Sequence, residues 1–83
     1  MSSWYTYMLR CGDGSLYIGI SNNLDERIKK HNAGKGAAYT RSHLPVELVW
    51  KKKASTATVA RKREAAMKKW TRAEKLELLA STE

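Results

Sequence analysis

The 83-residue chain carries 16 Lys and Arg against 8 Asp and Glu, a net charge of +8 with a pI near 9.9. Its 42% hydrophobic content fits a single domain over 1–83 that buries about 60–65% of its unfolded surface, and no apolar run approaches the ~20 residues that span a membrane. One cysteine, Cys11, excludes an intrachain disulfide and a zinc knuckle. With no signal-like N-terminus, it points to an intracellular, cytoplasmic setting. The basic balance favours nucleic acid as partner. A membrane surface is the weaker competitor, because only Ala60–Trp70 resembles a basic amphipathic helix.

Trp4–Cys11 reads as a strand, Gly12-Asp13-Gly14 as a turn, and Leu16–Ser21 as a second strand. A three-residue loop with Gly14 left-handed pairs residues whose numbers sum to 26. Trp4, Met8, Leu16, Ile18 and Ile20 then share a core face, and Tyr7, Tyr17 and Gly19 share the other. Asn22-Asn23 caps a helix with Asp25 and Glu26 in its first turn, and Ala33-Gly34 ends it. Gly34–Pro45 reads as a loop holding Tyr39, Arg41 and His43. Val46–Lys52 is the third strand, with Val46, Leu48 and Trp50 on one face. Residues 55–58 cap a helix running to about Trp70, with Val59, Arg63, Met67 and Trp70 on one side. Thr71-Arg72-Ala73-Glu74 is a capping box that opens a last helix. The order β-β-α-β-α-α predicts an α+β fold with a three-stranded antiparallel sheet flanked by helices.

Three features carry chemistry. Arg27 and His31 are neighbours at i,i+4 on the first helix. Such an arginine can grip a phosphate with two hydrogen bonds, and such a histidine can relay a proton near neutral pH; an ordinary exposed pair is the plainer alternative. Tyr7 and Tyr17 form a second pair, and Gly19 beside them removes a side chain and leaves room for a ligand. Glu64 is the one acid between Val59 and Trp70, among Arg61, Lys62, Arg63, Lys68 and Lys69. It is either a salt-bridge partner or the carboxylate that holds one Mg²⁺ or Mn²⁺ against a phosphate.

In order and spacing, Tyr5-Thr6-Tyr7, Tyr17-Ile18-Gly19, Arg27 and the run Ala60–Glu64 followed by Met67-Lys68 resemble the GIY-YIG nuclease domain. His31–Gly36, Tyr39-Thr40-Arg41 and Pro45–Val49 are similar to its small stand-alone subfamily, UPF0213. The resemblance implies a metal-dependent endonuclease that hydrolyses phosphodiester bonds with water. It implies Tyr17 as general base or water-positioning group, Tyr7 as an orienting group, and Arg27 as the stabiliser of transition-state charge. It implies that His31 takes a proton from Tyr17 or touches phosphate, and that Glu64 holds the metal. Lys30, Lys35, Arg41, Arg61 and Lys68 are the expected nucleic-acid contacts.

Three positions depart from the pattern: Tyr5 replaces a glycine, Ile20 stands where some members carry lysine, and Leu76 stands where several carry asparagine. With no attached recognition module, cleavage of DNA, more than RNA, is expected to be weakly specific or structure-selective, or to depend on a protein partner; oligomeric state stays open. The competing function is a non-catalytic nucleic-acid-binding module of the same fold. A third is a protein-interaction module using Trp50 and Trp70, whose periodic positions instead suit the core.

Overall fold

In the computed structural model, which describes residues 3–81, strands β1 (Trp4–Arg10) and β2 (Leu16–Ser21) form the hairpin that the apolar alternation predicts. The register is the expected one: Tyr7 faces Gly19, Met8 faces Ile18 and Leu9 faces Tyr17. Gly14 closes the turn in the left-handed region, with φ 87°. Helix α1 (Leu24–Asn32) starts at Asn23, whose side chain accepts the Glu26 N–H. Gly34, just beyond its end, has φ 77°.

The segment after α1 contains a single helical turn, α2 (Ala38–Arg41), where the sequence reading has only loop. Strand β3 (Glu47–Ala54) pairs antiparallel with β1, giving the order β2-β1-β3. Helix α3 (Ala57–Lys68) begins at Thr56, which accepts the Val59 N–H, and α4 (Arg72–Ser81) begins at the predicted capping box. In that box Thr71 N–H donates to Glu74 at 2.8 Å and Glu74 N–H donates to Thr71 at 3.2 Å.

The sheet has a core on each face. Tyr7, Leu9, Cys11 and Val46 pack on one side with Tyr17, Leu24, Ile28 and Leu48 around them. Met8, Ile18 and Met67 pack on the other, under Leu16, Val49, Trp50, Trp70, Leu78 and Leu79. Helix α1 covers the first and α3 and α4 cover the second. The tryptophans at 50 and 70 therefore serve packing, as their spacing suggests.

Two expectations need correction. A bulge in β3 places Met8 opposite Trp50 but Leu9 opposite Leu48, with Val49 extra. Leu48 and Trp50 consequently lie on opposite faces, not together. On α3 the buried stripe is Ala60 and Met67, while Val59 is exposed. The stripe fits here because Thr6 Oγ1 donates to the Ala60 carbonyl at 3.0 Å, drawing that turn onto β1.

Among the described residues, no helix is long and apolar enough to cross a membrane. The Asn32 side chain closes the segment between α1 and β3. It accepts the Val46 N–H at 2.8 Å and donates to the Val46 carbonyl at 3.1 Å, as a paired strand would.

Candidate active site

The site forms at the edge strand β2, where α1 and α3 approach from opposite faces. Tyr7 points to the α1 face and is 1% exposed. Its ring fills the space above Gly19: a Cβ there would lie 2.6 Å from Tyr7 Oη and 2.7 Å from Cζ. The missing side chain thus accommodates Tyr7, which corrects the expectation that it leaves room for a ligand. Gly36 plays the same part for the His31 ring, since a Cβ at that position would collide with the imidazole.

The stripe Leu24, Ile28, His31 faces the sheet, so His31 is fully buried while Arg27 beside it stays exposed. His31 Nε2 lies 3.0 Å from Tyr7 Oη, and Nδ1 lies 2.7 Å from Thr40 Oγ1. Thr40 is also fully buried and donates its one hydroxyl proton to the Ala37 carbonyl at 3.0 Å. Its oxygen must therefore accept from Nδ1–H, which leaves Nε2 to accept from Tyr7. The chain reads Tyr7 O–H to His31, His31 N–H to Thr40, Thr40 O–H to Ala37.

Electrostatics agree with neutral partners. Burial raises the Tyr7 phenol from 10.0 to about 12, outweighing the nearby Arg27 guanidinium, which lowers it. The Tyr17 and Glu64 charges push the same phenol up by smaller amounts. Burial, and then Arg27, hold the His31 pKa below its usual 6.5. With both ring nitrogens engaged and no exposed surface, His31 cannot touch a phosphate, and its hydrogen bond goes to Tyr7 and not to Tyr17. The expectations of phosphate contact and of direct proton uptake from Tyr17 do not fit this geometry.

Tyr17 meets the His31 ring edge-on, with centroids 5.5 Å apart. Among the described residues no hydrogen bond holds its hydroxyl, so this phenol remains available to water or substrate. Lys68 Nζ lies 6.0 Å from the Tyr17 ring centroid and 3.2 Å from Glu64 Oε2. The Glu64 side chain is 20% exposed. Arg61, Glu64 and Lys68 follow at i, i+3, i+7 on one stripe of α3. The sequence reading places Lys68 among the nucleic-acid contacts; it stands beside Tyr17.

Arg27 and Lys30 line a surface groove with Trp4, Ile20, Asn22 and Asn23, so Trp4 and Ile20 are half-buried walls and not core. Lys35 and Arg41 are exposed on the segment that carries Thr40. The sequence reading gives Thr40 no role, because that role depends on a contact nine residues away; its place in the Tyr39-Thr40-Arg41 resemblance was the signal.

A resident metal would have a sparse donor set. Among the described residues, no group of three or more His, Cys, Asp and Glu side chains could hold an ion. Glu64 is a single, partly buried carboxylate already paired with a lysine. That fits a hydrated Mg²⁺, which takes one or two carboxylates and completes its shell with water and phosphate oxygens, and not a cage built from protein alone.

A small α+β domain that gathers two tyrosines, an arginine and a glutamate at one sheet edge matches a known class. The family model of the GIY-YIG catalytic domain matches residues 3–77. A UPF0213 protein of Streptococcus sanguinis is 50% identical over 72 residues, covering 87% of this chain and 83% of that protein. A UPF0213 protein of Staphylococcus epidermidis is 43% identical over 79 residues, covering 95% and 96%. The solution NMR structure of a UPF0213 protein from Bacillus halodurans aligns with a TM-score of 0.63 at 39% identity, over 96% of this chain and 85% of that one. A solution NMR structure from E. faecalis aligns at 0.66 and 41%, over 98% and 86%. The chain belongs to the GIY-YIG family, a nuclease superfamily, and to its UPF0213 members.

Proposed function

We propose that this chain is a divalent-metal-dependent endonuclease that hydrolyses phosphodiester bonds in DNA. The observation that carries the reading is the division of labour between the two phenols. Tyr7 is buried and committed to His31, whereas among the described residues no hydrogen bond holds the Tyr17 hydroxyl.

In this reading a phosphate binds at Arg27, whose guanidinium lies beside Tyr7. Tyr17 orients the attacking water and accepts a hydrogen bond from it. The water oxygen bonds to phosphorus as the bond to the leaving oxygen breaks, the water's proton passes to solvent, the leaving oxygen takes a proton from solvent, and Arg27 offsets the charge that gathers on the phosphoryl oxygens. Tyr7 holds the shape of the pocket, and His31 and Thr40 hold Tyr7. Glu64 would hold the Mg²⁺ or Mn²⁺, which when bound supplies Lewis-acid charge to the phosphate and the leaving group. Lys30, Lys35, Arg41, Arg61 and Lys68 provide sequence-independent attraction for the backbone.

The test is cleavage of plasmid and oligonucleotide DNA with Mg²⁺, with Mn²⁺ and with EDTA. Wild type should cut only with metal, and Glu64→Gln and Arg27→Ala should cut at least 100-fold more slowly, about the loss that removal of one transition-state donor causes. Equal residual cutting by all three proteins sinks the enzyme. The second reading, a binding module without catalysis, draws on the Glu64–Lys68 ion pair and the single carboxylate. It predicts salt-sensitive binding that survives Glu64→Gln, with no cleavage by wild type.

A further inference from the structure

Two aromatic rings neighbour Tyr39. Tyr17 is nearly parallel to it, at 13°, but with centroids 6.3 Å apart the two rings do not overlap in contact, which leaves that face of Tyr39 uncovered. Tyr39 stacks on His43, at 22° and 4.4 Å. Tyr39 is 44% exposed and is the one exposed aromatic among the described residues. Every tryptophan and every other tyrosine is at least half-buried. The core does not need Tyr39 at the surface.

The stacked pair is also braced. His43 Nδ1–H donates to the Tyr39 carbonyl at 2.6 Å, and Nε2 lies 3.4 Å from Asp13 Oδ2. A ring held on one edge of a short helix by its stacked neighbour loses little freedom when something settles on it. Apart from Asp13 at His43, the neighbouring stretch of chain is basic. From Arg27 to Val46 the sequence has no acid, and Lys35 and Arg41 flank Tyr39 within four residues. Lys68 stands by the Tyr17 ring.

An exposed aromatic in a basic surface suits a nucleobase with its phosphodiester. Within a duplex both faces of each base are already stacked, so only an unpaired base offers a free face. We infer that Tyr39, braced by His43, is a stacking platform for an unpaired nucleobase next to the phosphate held at Arg27, which makes single-stranded or locally unpaired DNA the substrate class. The inference rests on the phosphodiester reading of the neighbouring site.

Fluorescence anisotropy in EDTA at one fixed salt concentration separates binding from cleavage. The probes are a labelled single-stranded oligonucleotide and the same strand annealed to its complement. Wild type should bind the single strand more tightly. Tyr39→Leu should weaken single-strand binding about tenfold and leave duplex binding unchanged. Tyr39→Trp keeps a ring and should retain single-strand affinity. Equal loss on both probes in Tyr39→Leu, no loss on either, or loss of single-strand affinity in folded Tyr39→Trp overturns the platform. Selective single-strand binding through Tyr39, with no cutting in Mg²⁺ or Mn²⁺, keeps the platform and removes the nuclease. Metal-dependent cutting that is faster on the duplex does the reverse.

Discussion

Tyr7 Oη lies 3.0 Å from His31 Nε2, with both side chains shut away from solvent at 1% and 0% exposure. A phenol and an imidazole joined in this way act as one neutral unit. Its orientation is set at the far end, by a threonine whose only proton is already spent on the Ala37 carbonyl. The unit fixes Tyr7 in the core, while among the described residues no hydrogen bond holds the Tyr17 hydroxyl.

The phenol end of this unit governs alkaline stability. Tyr7 ionises near 12 when folded and near 10 when unfolded. Between those values the folded state binds the extra proton, so stability is complete below pH 10 and falls as pH rises toward 12. The loss is on the order of 3 kcal/mol. Ultraviolet titration of the four tyrosines should show one ionising only with unfolding, and urea melts should lose that slope in Tyr7→Phe.

The imidazole end acts in acid. His31 has a folded pKa below 6.5, so its contribution is complete above pH 6.5. As pH falls past that value the unfolded chain takes up a proton that the folded chain refuses, and stability declines until the folded pKa is reached. Chemical denaturation from pH 8 to 5 should show this decline in wild type and a flatter profile in His31→Gln. A profile equally steep in both would assign the decline elsewhere.

Thr40→Val removes the acceptor of His31 Nδ1–H at nearly constant volume. The buried N–H is left without a partner, at a cost of about 1–3 kcal/mol. The expected result is lower stability together with a shift of His31 toward the other tautomer, read from imidazole ¹⁵N chemical shifts. Thr40→Ser keeps the hydroxyl and should restore the wild-type tautomer. An unchanged tautomer in Thr40→Val would break the proposed order of donors.

Gly19→Ala tests the contact with Tyr7. The new methyl would sit 2.6 Å from Oη and 2.7 Å from Cζ, so the ring must tilt away from a fixed strand. Overpacking of this kind costs about 1–3 kcal/mol. Thermal melts should show that loss, and the double variant Gly19→Ala/Tyr7→Ala should show less than the sum of the two single losses. Strict additivity would mean that the methyl is absorbed without moving the ring.

On the proposed reading, in which Glu64 holds the metal, Lys68 competes with that cation, since its Nζ lies 3.2 Å from Glu64 Oε2. Lys68→Met should therefore tighten Mn²⁺ binding by up to about fivefold, since an exposed pair of this type is worth at most about 1 kcal/mol. Mn²⁺ titration followed by electron paramagnetic resonance measures this directly. Unchanged affinity in Lys68→Met, with affinity lost in Glu64→Gln, would mean the lysine already leans aside.

Strict alternation made the hairpin legible in sequence, because only one loop length kept Met8, Leu16 and Ile18 together. The β3 bulge was hidden because Val46, Leu48, Val49 and Trp50 are all apolar, and both faces of the sheet are covered. An apolar run of that kind fits either register. The positions of Tyr7, Tyr17, Arg27, His31 and Glu64 followed from motif spacing, but not their division into buried and open groups. Residue type does not tell which of two tyrosines lies under a helix. The Thr40 contact depends on a turn that no local pattern announces.

The two hydrogen bonds from Asn32 to Val46 give the intervening segment a closed neck. Everything between the two residues, including Tyr39, Thr40 and His43, forms one closed loop, tied a second time to the β1–β2 turn where Gly12 N–H donates to the His43 carbonyl at 2.7 Å. On the function proposed above, substrate preference can therefore vary at the exposed positions of this loop, Lys35, Tyr39 and Arg41, while the residues that hold His31 stay fixed.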